Sequence, residues 1–496
     1  MVTVWVNGIA QNVPFGTLLS AVLSHAPHPC GGKGVCGKCR VHATGALSAL
    51  SKEEERHLTP FEIADGMRLS CCARVEGECY VTLSTDSVMS VVTEGKAAAT
   101  APSPTFAAYG AAVDIGTTTI AARLYDTAGR LLAQDGCVNP QIAYGADVLS
   151  RIQAAGEGAD LTAPLQSAVN GLFSRLAQAA GIHTAAIDGV VITGNTAMLC
   201  LFTATDATSL SHAPFALPTA FDEVRTAAQL GLTALAPNRA VYLPPCAAAF
   251  IGADALCAAL ACNLDGDATA LLADMGTNGE MLLSHNGVLY ACSTAAGPAF
   301  EGVGISCGMP AITGAIDEVT LVNDRLLSHA IGGGRAEGIC GSGLVDAAAC
   351  LLATEEMDTS GYLESAASLG DGVSLTQEDI RALQQAKSAV CSGLQTLLHH
   401  AGITADEVET LYTAGGFGSR MNGRNAAAIG LIPQTLATRI QPVGNAALDG
   451  AAELLLNAHA KRSITALAEK IQVIELATDP FFTDQFIRNM SFGCNH

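Results

Sequence analysis

Residues 30–41 read CGGKGVCGKCRV, which sets three thiols and four glycines beside three basic side chains. Such a stretch can do two kinds of chemistry. As a phosphate loop, Gly32-x4-Gly37-Lys38 is one residue short. A Ser or Thr must follow the lysine to hold Mg²⁺, and Cys39 stands there instead. As a metal loop, Cys30, Cys36 and Cys39 supply three thiolates. The glycines let the backbone turn sharply and aim N–H groups at sulfides. A [2Fe–2S] cluster takes a fourth thiolate from elsewhere in the chain. Arg68-Leu69-Ser70-Cys71-Cys72 offers two candidates, of which one is needed. A zinc site would want a second CxxC or a pair of histidines, and a thioredoxin-type motif has no use for a third cysteine. Cys72 and Cys79 otherwise read as packed thiols.

A second chemistry is written twice. Ala112-Val113-Asp114-Ile115-Gly116-Thr117-Thr118-Thr119 and Leu272-Ala273-Asp274-Met275-Gly276-Thr277-Asn278-Gly279 share the pattern apolar-Asp-apolar-Gly-Thr. A carboxylate at a strand end can hold Mg²⁺, usually through water. The glycine lets backbone approach a phosphate, and the hydroxyl and N–H groups that follow can grip its oxygens. Two facing copies would clamp a nucleotide phosphate chain. Thr413-Ala414-Gly415-Gly416-Phe417-Gly418-Ser419 offers a Gly-Gly turn that could lie flat against an adenosine, or be an ordinary tight turn. Gly338-Ile339-Cys340-Gly341-Ser342-Gly343 opens a further helix.

The elements that must position these groups follow from the hydrophobic pattern. VTVWVNG alternates as a strand and ends in a hairpin signal. The segment from Thr17 reads as a short helix with a threonine cap, and Cys79 opens a late strand. The spacing Cys30-x5-Cys36-x2-Cys39 is close to that of plant-type [2Fe–2S] ferredoxins, and the elements around it suit their β-grasp layout. Residues 1–86 are therefore expected to form a [2Fe–2S] ferredoxin-like domain. The Ala/Pro/Ser/Thr tract inside 87–107 reads as a linker. Strands and helices then alternate, and the repeated Asp motif divides the remainder into halves 108–268 and 269–496.

The chain has 496 residues, 49% of them hydrophobic and 14% charged, so large α/β cores are easy to fill. A net charge of −21 makes nucleic acid a poor partner. The N-terminus shows no basic and apolar leader pattern, and the 17 cysteines sit among small apolar residues as reduced core thiols do. Both features imply a cytoplasmic protein. The apolar stretch 243–261, interrupted by Asp254, reads as a buried helix with no part in a membrane.

The Asp and Gly motifs of 108–450 resemble, in order, those of the acetate-kinase, sugar-kinase, Hsp70 and actin superfamily, whose two duplicated ribonuclease-H-like halves close on ATP. With the cysteine loop, the whole chain resembles the reductive activators of corrinoid proteins. Asn139-Pro140-Gln141, Tyr144 through Arg151, Thr193-Gly194-Asn195-Thr196, residues 291–302 (ACSTAAGPAFEG) and residues 338–343 look like that family's signatures. The resemblance implies a [2Fe–2S] cluster on Cys30, Cys36, Cys39 and Cys71, the last preferred over Cys72 by the family's Arg-Leu-small-Cys pattern. It implies ATP and Mg²⁺ at Gly116, Thr117, Thr118, Thr119, Gly276, Thr277, Asn278, Gly341, Ser342, Gly415, Gly416 and Gly418, with Asp114 and Asp274 positioning Mg²⁺ or the attacking water. It further implies a corrinoid (cobalamin-type) methyl-carrier protein as partner, an external low-potential electron donor, and a homodimer as one available assembly. The chain departs from the family at Cys200, where a histidine is frequent, and in its short linker. Two other readings stand beside this one: an activator of another low-potential enzyme, such as a 2-hydroxyacyl-CoA dehydratase, or a small-molecule kinase with a redox-sensing domain.

Overall fold

A computed structural model describes residues 1–6, 8–23, 32, 34, 37, 39–82, 102–145, 147–323 and 325–493. Most of the linker reading, and with it Cys30 and Cys36, falls outside these residues.

The N-terminal unit is a five-stranded sheet. Its order runs Ile9–Val13, Val2–Val6, Val75–Thr82, Arg40–Leu47 and Met67–Leu69. The first two strands form the expected hairpin, with Val6 opposite Ile9 and Gly8 left-handed at φ +82°. Val2–Val6 pairs in parallel with the late strand, which is the mark of a β-grasp sheet. The strands alternate, so Val4, Val41, Ala43, Cys79 and Val81 face one core with Leu19 and Leu23. The threonine cap is not formed. The helix is Leu19–Val22 with Leu18 at its N-cap, because the Thr17 hydroxyl donates to the Pro14 carbonyl at 2.7 Å.

The remainder holds two six-stranded sheets of matching plan. In the first, Tyr109–Ile115, Thr119–Asp126 and Leu131–Val138 form an antiparallel meander. Ile187–Gly194 and then Ala240–Leu243 join its first strand in parallel, and Glu223–Thr226 closes that edge. In the second, Ala270–Met275, Gly279–His285 and Val288–Thr294 make the meander, and Thr410–Ala414 and Ile440–Gly444 add in parallel. The duplication read from two short motifs thus extends to five strands in each sheet.

One hydrophobic core joins the two sheets. It takes Ala112, Ala121 and Val191 from the first, Leu272, Leu282 and Val443 from the second, and the helices Ala253–Ala261 and Ala446–Leu456. These helices pack so closely that a Cβ on Gly450 would collide with the Cys257 carbonyl. The abundance of small residues has its use here, since only bare backbone permits that approach. The Arg123–Asp449 ion pair, at 2.5 Å and buried, ties the first sheet to the second helix.

The stretch 243–261 differs from its reading. A strand ends at Leu243, and the helix starts only at Ala253. Pro244 and Pro245 lack an N–H and hold Leu243 and Pro244 out of the α conformation, and the N–H groups of Cys246 and Ala247 then donate to the carbonyls of Ala220 and Ile251 at 2.8 and 2.9 Å. No helix among the described residues is long and apolar enough to cross a membrane.

Candidate functional site

At the cluster loop, Cys39 precedes the strand Arg40–Leu47, and Cys71 follows the strand Met67–Leu69. These two strands pair antiparallel, with Arg40 opposite Leu69, and the Ser70 N–H donates to the Cys39 carbonyl at 2.8 Å. The pairing brings the Cys39 and Cys71 sulfurs to 3.2 Å, both buried. Cys72 Sγ lies 3.7 Å from that of Cys71. A buried clamp fixes the register. Arg68 donates to both oxygens of Glu54, at 2.7 and 3.1 Å, and the Leu69 N–H adds a third bond to Glu54 at 3.1 Å. Glu54 also closes a capping box with Ser51 on the helix Lys52–His57.

Gly32, Gly34 and Gly37 are all left-handed, with φ of +76°, +72° and +63°. Gly34 lies against Cys72, whose Sγ is 3.3 Å from where a Gly34 Cβ would stand. Hydrogen bonding from Cys71 pulls the Cys39 thiol down to about 6, and the same contact pushes Cys71 upward. Two buried thiols 3.2 Å apart, one of them drawn toward its thiolate form, with left-handed glycines beside Cys71 and Cys72, fit an iron–sulfur cluster. Cys30 and Cys36 lie outside the described residues.

At the second site, each motif aspartate sits near the end of a central strand, beside the parallel strand that leads into the next loop. Asp114 is level with Thr193, and Asp274 with Ala414. The turns that follow differ by one residue in length, since Ile115 pairs with Ile120 but Met275 with Gly279. Gly116 N–H donates to the Thr119 carbonyl at 2.9 Å, and Gly276 N–H to that of Asn278 at 3.0 Å. Asn139 Nδ2 holds the Gly116 carbonyl at 2.8 Å, and Asn195 Nδ2 donates to Thr117 Oγ1 at 3.0 Å. Gly415, left-handed at φ +79°, opens the short helix Gly415–Gly418. Its Cβ would stand 2.7 Å from Asp274 Oδ1, so the glycine turn and the carboxylate share one wall. Gly416 is exposed, while Thr413 Oγ1 donates to the Gly418 carbonyl at 2.9 Å. Gly341 abuts Phe300 and Phe417 behind that turn. The Ser342 hydroxyl donates to the Asp317 carbonyl at 2.9 Å, which leaves only backbone from this pair to face a ligand.

Three further acids, named by neither Asp motif, join Asp114 and Asp274. Asp254 comes from the helix Ala253–Ala261, Glu280 stands opposite Asp274 in the sheet, and Glu301 ends the turn Pro298–Glu301. Burial pushes Asp114 up to about 7, Asn445 Nδ2 pulls it partly back with a 2.9 Å bond, and the Asp274 charge adds to the rise. Burial and then the charge of Asp114 push Asp254 up to about 7. Burial and then Glu301 push Asp274 to about 6. Burial, then Asp254, raises Glu280. These acids act on one another through their charges, but among the described residues no three of them are grouped closely enough to hold a metal ion by themselves, so a cation here would complete its shell with water or phosphate oxygens. Asn445 carried a usable signal, because Gly444-Asn445 repeats Gly194-Asn195 at a strand end. Glu301 lay inside the signature 291–302 and Asp254 inside the apolar stretch 243–261, but neither segment showed what its acid would face, since strand pairing and the fold of distant loops place them and Glu280.

The acids set a pH dependence. Between about 4 and 7 the folded protein holds protons that the unfolded chain has released, so stability falls as pH rises through that window. Melting of the nucleotide-free protein is expected to be several degrees higher at pH 5 than at pH 8. Mg–ADP should flatten the profile by supplying a cation in place of the protons. Scanning calorimetry at both pH values checks it; a melting temperature that climbs with pH would count against the assignment.

Sheet plan and site geometry define a class: an iron–sulfur protein continuous with a two-halved ATPase of the actin, Hsp70 and sugar-kinase type. Comparison with known proteins agrees. Residues 5–76 match the 2Fe-2S iron-sulfur cluster binding domain, residues 109–267 the RACo middle region, and residues 268–495 the C-terminal domain of RACo, the ASKHA domain. The corrinoid activation enzyme RamQ of Eubacterium limosum is 33% identical over 421 residues, which are 78% of this chain and 71% of the relative. The [Co(II) methylated amine-specific corrinoid protein] reductase of Methanosarcina barkeri is 31% identical over 281 residues, covering 51% of this chain and 52% of that one. The solved structure of a reductive activator for corrinoid,iron-sulfur protein superposes with a TM-score of 0.72 at 26% identity, over 99% of this chain and 98% of the other. The chain belongs to this family of corrinoid activators.

Proposed function

We propose that the protein is an ATP-dependent reductive activator. It passes one electron to the Co(II) corrinoid of a methyltransferase-system protein and so restores Co(I). The observation that carries this reading is the presence on one chain of a paired-thiol ferredoxin loop and a two-sided acidic nucleotide cleft.

When bound, a plant-type [2Fe–2S] cluster supplies a one-electron carrier near about −400 mV. Each ~59 mV of uphill one-electron transfer costs about tenfold in equilibrium, which is the reason ATP is needed. In this reading Cys30, Cys36, Cys39 and Cys71 hold the cluster. Residues 116–119 and 276–278 grip the phosphates, with Asp114 and Asp274 holding Mg²⁺ or orienting the attacking water. Gly415, Gly416 and Gly418 flank the adenosine, and Gly341 and Ser342 support that wall. The domains are 1–86, 108–268 and 269–496 around a linker at 87–107. The protein works in the cytoplasm, is recharged by an external low-potential donor, and serves a corrinoid methyl carrier as a monomer or homodimer. Its net charge of −21 supports a partnership without nucleic acid.

The test is optical and anaerobic. Iron-loaded protein is mixed with a Co(II) corrinoid methyl carrier and a reductant, with and without ATP. Co(I) absorption that depends on ATP is expected. Hydrolysis of ATP with no Co(I) from any corrinoid carrier would move the acceptor elsewhere.

A further inference from the structure

Glu301 reaches across the cleft and touches both phosphate-loop candidates. Its Oε1 accepts the Thr277 N–H at 3.0 Å, and its Oε2 accepts the Thr118 hydroxyl at 3.4 Å. Gly276 makes the room, because a Cβ there would stand 3.3 Å from the same Oε1. A carboxylate therefore rests on one donor from each loop. A hydroxyl and a backbone N–H converging on one anion are what a phosphate would use. Two anions on those donors would repel strongly in so enclosed a place.

The surroundings give the carboxylate somewhere to go. Arg151 is fully buried. Its Nε donates to the Gly145 carbonyl at 2.9 Å, and its Nη1 lies 3.5 Å from Gln141 Oε1 and from Met198 Sδ. Its Nη2 has no hydrogen-bond partner among the described residues. A buried guanidinium with an unused donor is costly to maintain without purpose. Its charge and that of Glu301 act on each other. The turn that carries Glu301 is bounded by left-handed glycines, Gly297 at φ +79° and Gly302 at φ +75°. Its Phe300 ring stacks on Phe417 at 4.4 Å, inside the Gly415–Gly418 turn.

We propose that Glu301 is a built-in stand-in for a nucleotide phosphate. It clasps the two loops in the free protein and is evicted toward Arg151 when a Mg-bound nucleoside di- or triphosphate enters. The proposal rests on the reading of residues 116–119 and 276–278 as phosphate loops. It makes Glu301 a positioning residue through which nucleotide binding moves the 297–302 turn, and Phe300 passes that movement to Phe417. A ligand can shift such an equilibrium only by its differential interaction with the two states, and competition for shared donors is such an interaction.

The test measures the dissociation constants of Mg–ADP and Mg–AMPPNP by titration calorimetry on the full chain. The proteins are wild type, Glu301→Gln and Glu301→Asp, each checked for an intact melting transition. Glu301→Gln removes the competing charge, and Glu301→Asp shortens the side chain so that it cannot span both loops. Both are expected to bind at least about fivefold more tightly, the lower end of ordinary coupling between sites. Arg151→Gln removes the receiving charge and is expected to weaken binding in wild type but to have no further effect beside Glu301→Gln. A residue that only holds the fold would give weaker binding on mutation. Wild-type binding with unchanged or weaker affinity in both Glu301 variants would overturn the clasp and leave the nucleotide site standing. No binding by any of the proteins would bring down the nucleotide site and the clasp with it.

Discussion

Cys71→Ser is expected to abolish the visible absorption of the iron–sulfur cluster and to cut ATP-dependent Co(I) formation by more than about a hundredfold, beyond the usual cost of losing a group that merely supports a ligand. Cys72→Ser should leave both within about twofold. The geometry distinguishes the neighbours. Cys71 Sγ is 3.2 Å from Cys39 Sγ, and Cys39 is the thiol already drawn toward its thiolate form. Cys72 meets Cys71 at 3.7 Å, is half-buried, and has its thiol pushed up by burial. The Arg68–Glu54 clamp holds the strand immediately before Cys71, so that position is fixed most firmly. Nucleotide affinity should not move in either variant, because the cleft residues described above belong to the two six-stranded sheets and the helices and turns attached to them, none of which includes the cluster loop. Absorption spectra of the two reconstituted proteins, with a nucleotide titration beside them, settle the matter. Loss of the cluster in Cys72→Ser and its survival in Cys71→Ser would reverse the assignment.

Asp274→Asn should lower the ATP hydrolysis rate by about 10²–10³-fold, the range seen when one preorganised electrostatic group is removed from a transition state. The same change should raise the melting temperature of the nucleotide-free protein. Asp274 is held above its ordinary range by burial and by Glu301, and its charge in turn raises Asp114, Asp254 and Glu280. Removing that charge relieves repulsion in the empty cleft. About 1 kcal/mol of relief would appear as roughly 2–4 °C in a domain of this size. The paired outcome, more stable and far less active, separates a functional carboxylate from a structural one. Asp114 is the poorer choice for this experiment, because it accepts a hydrogen bond from Asn445 and so helps join the halves. Steady-state hydrolysis and calorimetry on the same preparation check both arms. A variant that loses stability together with activity would mean that Asp274 serves the fold.

Several features were legible because they depend on neighbours in the chain. The hairpin at Gly8 follows from alternation and a glycine that tolerates left-handed backbone. The two Asp-Gly-Thr turns follow from a short repeated pattern. Local reasoning failed where a local competitor won. Thr17 spent its hydroxyl on Pro14, and Pro244-Pro245 cut short the helix read from 243. It was silent where function depends on residues far apart in sequence. Asn445 meets Asp114 across 331 positions, and Glu301 meets Thr118 across 183.

The sequence by itself determined the kinds of chemistry present: thiolates for a cluster, paired Asp-Gly-Thr turns for phosphates, and a doubled α/β plan to carry them. Those are matters of residue type and short spacing, which backbone geometry translates directly into local shape. Only the tertiary structure decided that the charges of Asp114, Asp254, Asp274 and Glu280 act on one another, that Arg151 is buried with a donor unused among the described residues, and that Glu301 occupies the donors of both loops. Such contacts arise when two separately formed sheets pack through one core. Their energies, the mutual repulsion of buried charges and the strength of hydrogen bonds out of water, exist only after that packing has excluded solvent.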